Sequence, residues 1–233
     1  MQNNAWWPDE RTYAGEEHLD PTYVAAYEGK SGYDPADIAA LRALGLDEES
    51  LVLDLGTGTG VFAAAVAQCC KAVIAVDISP AMTSAARIRA DQLGIENITV
   101  VEASFLSSGH RADAVDVVFT RNASHQLPDL WKAVALERIS GLLRPGGLLY
   151  LRDLVLECEP AEIETQVEAW LAGAAGDPSV GFTARELETH LRTEFSTYSW
   201  LLDAMLAHTG FEVLDRSFRR GAYGTYACRR NAS

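Results

Sequence analysis

The chain has 233 residues, a formal net charge of −14 and a pI near 4.7, with 48% apolar and 22% charged residues. That balance predicts one globular domain with an ample core, and the acidity disfavours nucleic acid as substrate or partner. The four cysteines form no C-x-x-C pair, no apolar run reaches membrane length and residues 1–20 lack a charged-then-apolar leader. The expectation is therefore a reduced, cytoplasmic protein without a membrane partner.

Residues 1–35 crowd Trp6, Trp7, Tyr13, His18, Tyr23, Tyr27 and Tyr33 into a polar, acidic stretch. Asp20-Pro21 reads as the cap of a short helix over 22–27, with Tyr23 and Tyr27 on one face. Aromatics here pack the segment onto the domain or wall a pocket, which makes Tyr13 and Tyr27 candidate lid residues. A helix over 34–44, ended by Gly45, leads into an apolar run at 51–55 that reads as a buried strand. Gly56, Gly58 and Gly60 follow at alternate positions, and 61–67 reads as a helix.

Strand, glycine turn and helix make the first half of a βαβ unit. Such a turn needs positive φ and lets a ligand approach without a Cβ in the way. The first turn of the helix offers unpaired N–H groups to an anionic group. A second strand over 72–76 ends in Asp77, placed to accept both hydroxyls of an adenosine ribose. Asp77 thus points to a nucleoside. A dinucleotide fingerprint wants G-x-G-x-x-G, whereas D-x-G-x-G-x-G stands here, with Asp54 first.

Ser79-Pro80 opens a helix to Leu93, stopped by Gly94. Strands over 97–101 and 115–119 follow, then a helix over 130–143. The turn Arg144-Pro145-Gly146-Gly147 leads into a strand over 148–151. From 159 the rhythm breaks into two short helices, 161–173 and 183–193, before a helix over 198–209 ended by Gly210. Strands over 211–214 and 223–228 close the chain; their link is too short for a crossover helix, so they pair antiparallel. The alternation predicts an α/β, Rossmann-like doubly wound sheet in a single domain over 1–233. Its parts are a lid segment at 1–35, a cofactor-binding core at 36–158, a helical cap insertion at 159–197, and a C-terminal helix and strands at 198–233.

The pattern from Asp54 to Gly60 resembles motif I of the class I S-adenosylmethionine (SAM) dependent methyltransferases. The segment from Thr120 to Asp129, with His125, is similar to the family's motif after strand four. Leu143 to Gly147 resembles its turn before strand five, and Ser79-Pro80 with Met82 the segment over adenine. The chain is most similar to small-molecule methyltransferases of the ubiquinone/menaquinone-biosynthesis type. The resemblance implies a seven-stranded sheet, mostly parallel with a C-terminal antiparallel hairpin. It also implies SAM as cofactor, S-adenosylhomocysteine as product, a small-molecule acceptor, and a monomer or homodimer.

Carried over residue by residue, Gly56, Thr57, Gly58 and Gly60 wrap the methionine part of SAM and Asp54 holds its ammonium end. Asp77 takes the ribose, with Ile78 and Met82 against adenine. Where the family commonly has an acid near the adenine amino group, Ala103 stands here; Ser104, with Phe105 beside it, substitutes. Arg121 and Asn122 flank the sulfonium and the acceptor.

Methyl transfer from a sulfonium is an in-line displacement, so the main task is holding the reacting atoms at roughly 3 Å in a dry pocket. A base is needed only for a protonated acceptor. His125 is the candidate, because imidazole titrates near neutrality, and Arg121 is a candidate for orienting the acceptor. No carboxylate set suited to Mg²⁺ stands out, so no metal is expected. A SAM- or nucleoside-binding protein without methyl transfer, or an NAD-dependent oxidoreductase, would share the glycine turn and Asp77; the glycine spacing weighs against the second.

Overall fold

The computed structural model describes residues 5–14, 24, 34–107, 114–178 and 180–232. Its helices begin and end where the local signals stand. In α1 (Pro35–Leu44), Asp34 accepts from the Ala36 N–H at 3.0 Å, and Gly45 ends the helix at φ 122°. Strand β1 (Leu51–Leu55) and α2 (Val61–Val66) flank the glycine turn. After β2 (Ala72–Asp77), Ser79 caps α3 (Pro80–Leu93) by accepting from the Met82 N–H, and Gly94 stops it at φ 64°. Then come β3 (Ile98–Glu102), β4 (Val115–Arg121), α4 (Asp129–Leu142) and β5 (Leu143–Leu156).

After β5 come α5 (Ile163–Ala172) and α6 (Ala184–Thr193); the second opens with a reciprocal capping box between Thr183 and Glu186. A two-residue strand β6 (Thr197–Tyr198) precedes α7 (Ser199–His208), and β7 (Phe211–Arg219) and β8 (Tyr223–Arg230) form the final hairpin. The sheet order is β3-β2-β1-β4-β5-β8-β7, with β6 paired to β5 off this path. The first five strands run parallel, and β8 and β7 are antiparallel to their neighbours. This is the expected Rossmann-like, mostly parallel sheet with its antiparallel end.

Alternation along the strands sends side chains to two layers. Val52 faces a cluster built on Leu41 of α1 and Phe62 and Val66 of α2, where the Phe62 ring stacks on Phe119. Leu53 and Leu55 face the opposite cluster, with Leu136 and Ile139 of α4 and Leu202 and Leu206 of α7. A separate apolar cluster of Leu154, Leu156, Trp170 and Leu187 seats α5 and α6 on the far end of β5.

Two elements are longer than their apolar runs suggest. β5 starts at Leu143 because Leu143 pairs with Val115 while Leu148 already pairs with Val117, leaving residues 144–147 as a bulge inside the ladder. The Arg144 Nε donates to Asp116 Oδ1 at 2.5 Å across it. The final hairpin pairs Arg219 with Tyr223, so its link is only 220–222. Arg220 and Gly221, at φ 56° and 60°, make that tight turn. The helix expected over 22–27, together with His18, Tyr23, Tyr27 and Tyr33, lies outside the described residues. Among the described residues no helix is long and apolar enough to cross a membrane.

Candidate functional site

The C-terminal ends of β1, β2 and β4 meet at the glycine turn. The N–H groups of Gly56 and Thr57 both donate to the Val76 carbonyl at 2.9 Å, and Gly58 N donates to Asp77 Oδ2 at 2.8 Å. These bonds fold the turn onto the tip of β2. Gly56, Gly58 and Gly60 take φ 75°, 55° and 77°, a region that costs an L-residue roughly 1–2 kcal/mol. A Cβ on Gly56 would overlap the Ala123 methyl, and one on Gly60 would lie 2.9 Å from the Ala86 Cβ.

A cavity runs past the turn. Gly56, Gly58 and Asp77 border it together with Ile78, Met82, Ala103, Ser104 and Phe105. Arg121, Asn122, Ala123, Gln126 and Leu127 border it from the segment after β4, and Glu10, Tyr13 and Ala14 from the N-terminal segment. A smaller recess shares Gly56, Gly58, Arg121 and Asn122 and adds Asp54, Thr57 and Phe62. Gly60 is among the residues lining neither: it is the left-handed cap of α2, packed on Ala86.

The two acids at the strand ends sit differently. Asp77 accepts from the Ser79 N–H at 2.9 Å as well as from Gly58, so its carboxylate is oriented on both oxygens. Asp54 is 2% exposed and accepts from the Thr57 hydroxyl at 2.6 Å. Burial pushes its carboxyl up to about 7, opposed by the Thr57 bond and reinforced by the charge on Asp77.

Arg121 lies 3.9 Å from Asp37 Oδ2. The Arg152 guanidinium spans Asp37 Oδ1 at 2.5 Å and Asp34 Oδ2 at 3.1 Å, so the first turn of α1 braces the ends of β4 and β5. Asn122 occupies φ 50°, a conformation unusual outside glycine, and its N–H is held by the Arg152 carbonyl at 2.8 Å.

His125 has a different setting from that of the expected base. It is absent from the lining of both cavities, is 6% exposed, and has both ring nitrogens engaged. Nδ1 lies 2.5 Å from Asp153 Oδ1, and Nε2 lies 2.9 Å from Glu194 Oε2. Burial opposes a charge on the ring, but the two carboxylates outweigh it and raise the imidazole to about 9. A ring that is already protonated and bonded on both sides has no nitrogen with which to take a substrate proton.

Glu10 has no signal in the sequence as a site residue. Its buried carboxylate accepts from the Ser104 hydroxyl and from the Leu106 N–H at 3.2 Å. Burial raises its carboxyl, against those two bonds. Asp153 is equally silent in the sequence. It accepts from the N–H groups of Ser124, His125 and Leu154 at 2.7, 3.2 and 2.7 Å and thereby fixes the loop after β4.

A glycine turn after the first strand, an acid ending the second and a cavity along the strand ends define a Rossmann-like nucleoside-binding fold. Residues 52–147 match the methyltransferase domain family. The chain is 29% identical to 27-O-demethylrifamycin SV methyltransferase of Amycolatopsis mediterranei over 143 residues, 60% of this chain and 52% of that one. It is 31% identical to trans-aconitate 2-methyltransferase of Methylobacterium radiotolerans over 176 residues, 72% of this chain and 64% of the other. The matches thus span between about half and just under two thirds of these curated relatives.

In fold, the chain is similar to a phosphoethanolamine N-methyltransferase of Haemonchus contortus solved with phosphomonomethylethanolamine and S-adenosylhomocysteine. The TM-score is 0.71 at 15% identity, over 97% of this chain and 61% of that one. Residues 52–147 thus match a methyltransferase domain, and the chain as a whole shares the fold of the solved methyltransferases it is similar to.

Proposed function

We propose that the protein is an enzyme that transfers a methyl group from S-adenosylmethionine to an O, N or C nucleophile of a small molecule. The observation that carries this is the convergence of the left-handed Gly56–Gly58 turn, the doubly held Asp77 carboxylate and the Arg121–Asn122 loop on one cavity. The residues present fit the cofactor. The Ala123 methyl excludes a side chain at Gly56 and keeps the turn tight. Asp77, oriented by the Gly58 and Ser79 N–H groups, presents an acceptor at the cavity wall where a ribose diol would lie.

In this reading Asp77 binds the ribose, Ile78 and Met82 lie against adenine, and Ser104 and Phe105 border the base, with Glu10 joined to Ser104. Asp54 and Thr57 hold the amino-acid end. The bound cofactor supplies an activated methyl whose departure leaves a neutral thioether. The protein's share is orientation: Arg121 and Asn122 position the acceptor, while Tyr13 and its segment exclude water. His125 holds the loop instead of moving a proton. Gly60 serves the turn through its packing on Ala86. The net charge of −14 supports a small molecule over a nucleic acid as acceptor.

The test is conversion of SAM to S-adenosylhomocysteine with phenols, quinols and heteroaromatic amines as acceptors. Acceptor-dependent turnover supports the reading; saturable SAM binding with no turnover on any acceptor would instead favour a binding protein.

A further inference from the structure

Beside the cavity, side chains distant in sequence meet at α6. His125 comes from the 3-10 turn after β4, His190 from the last turn of α6, and Glu194 from the residue that ends that helix. His125 Nε2 and His190 Nδ1 converge on one point, the Glu194 Oε2, at 2.9 and 2.8 Å. The donor atoms of all three lie within 4.8 Å of one another.

Each imidazole also has its second nitrogen tied. Asp153 Oδ1 lies 2.5 Å from His125 Nδ1, and Ser196 Oγ lies 2.8 Å from His190 Nε2. Asp153 cannot readily turn away, because backbone N–H groups of the loop and of β5 hold it. The ring orientations are therefore set from outside, with Nε2 of one histidine and Nδ1 of the other aimed inward. That is the arrangement of a metal site in which outer hydrogen bonds select the ligating nitrogen.

We propose that His125, His190 and Glu194 bind a divalent metal ion of the zinc class. Two imidazole nitrogens and one carboxylate oxygen are a donor set zinc accepts, with water as a fourth ligand. Mg²⁺ and Ca²⁺ prefer oxygen-rich shells and fit poorly. Zinc bonds of about 2.0–2.2 Å require the point now held by Oε2 to be yielded to the ion. Glu194 is the partner able to do so, since its side chain is 22% exposed whereas that of His125 is 7% exposed. The protons on His125 Nε2 and His190 Nδ1 that now bond to Oε2 are released to solvent as the metal binds. The carboxylates of Glu194 and Asp153 offset the added charge.

The ion would join α6 to the turn over Ser124–Gln126, whose neighbours Ala123 and Leu127 line the cavity. Its place off the cavity makes it a structural tie. The site rests on its own geometry and stands apart from the methyl-transfer reading.

The experiment is calorimetric titration of the chelator-treated full chain with Zn²⁺, paralleled by Co²⁺ absorption spectroscopy and a Mg²⁺ control. The expected result is one saturable Zn²⁺ equivalent, a visible Co²⁺ spectrum of a tetrahedral nitrogen–oxygen site, and no Mg²⁺ binding. His190→Ala should abolish the Co²⁺ spectrum. Ser196→Ala, which removes only an outer partner, should weaken Zn²⁺ by about 10-fold or more without unfolding the chain. Wild-type binding no better than that of His190→Ala, or unaltered by Ser196→Ala, would overturn the site and leave a hydrogen-bonded clamp. SAM titration of the same metal-free sample is read separately, so either reading can fail without the other.

Discussion

Asp54 and Asp77 end neighbouring parallel strands, yet one is nearly sealed from water and the other is ringed by N–H donors. If Asp77 holds the ribose as proposed, its loss removes two charge-assisted hydrogen bonds, each worth roughly 1.5–3 kcal/mol. Asp77→Ala should therefore weaken SAM binding by about 100-fold or more in calorimetry; near-wild-type affinity would sink its assignment. Asp54 has its carboxyl near 7 through burial, so it is protonated in mild acid and ionised above that value. If it pairs with the ammonium end of SAM, affinity rises as pH passes from 6 to 8, and binding below 7 releases a proton to buffer. A flat profile between those values would remove Asp54 from the amino-acid end. Gly56→Ala meets both the left-handed backbone and the Ala123 methyl. It should cost at least about 1–2 kcal/mol in urea unfolding and weaken SAM as well. The glycine turn and the placing of Asp54 and Asp77 at strand ends were legible because neighbours in sequence carry their geometry. His125 was misread because Asp153 and Glu194, the groups that decide its protonation, arrive from other elements.

Between elements, the loop after β4 is the piece most tightly determined by tertiary contacts. The Asp153 carboxylate, 2% exposed as a residue, holds the N–H groups of Ser124 and His125 and the His125 ring. Asp153→Ala strands these donors and breaks a buried ion pair, so it should destabilise the chain by about 3–5 kcal/mol. Arg216→Ala, which removes an exposed pair with Asp203, should cost no more than about 1 kcal/mol. Urea unfolding of both variants measures the contrast; equal small losses would contradict the loop's dependence on Asp153. Caps and strand order were readable from Ser79-Pro80, the glycine stops and the alternating apolar runs. The extent of β5 was not, because residues 144–147 look like a turn and only pairing with β4 reveals them as a bulge. The final hairpin escaped in the same way: its polar outer residues hide strand continuing to Arg219.

At the scale of the whole molecule, residues 6–14 lie across the C-terminal ends of the strands. Glu10 reaches Ser104, Arg11 pairs with Glu102 at 2.6 Å, and Gln126 donates to the Ala14 carbonyl at 3.3 Å. Trp6 and Trp7 pack on Trp131 of α4. A chain starting at residue 34 should keep its sheet, judged by circular dichroism. It should bind SAM about 10-fold more weakly or worse, a loss of about 1.4 kcal/mol. Of the aromatics expected to pack over 1–35, Trp6, Trp7 and Tyr13 lie among the described residues and pack on Trp131 and Phe195. That Glu10 would be the segment's contribution to the cavity was invisible, since nothing local marks that acid from its neighbours.

The central claim is that the glycine turn and Asp77 build a site for SAM. Calorimetric titration of the purified full chain with SAM, S-adenosylhomocysteine and NAD tests it most directly. The account predicts saturable one-to-one binding of the first two at micromolar affinity and none of NAD. Absence of both sulfur ligands together with saturable NAD binding would contradict it.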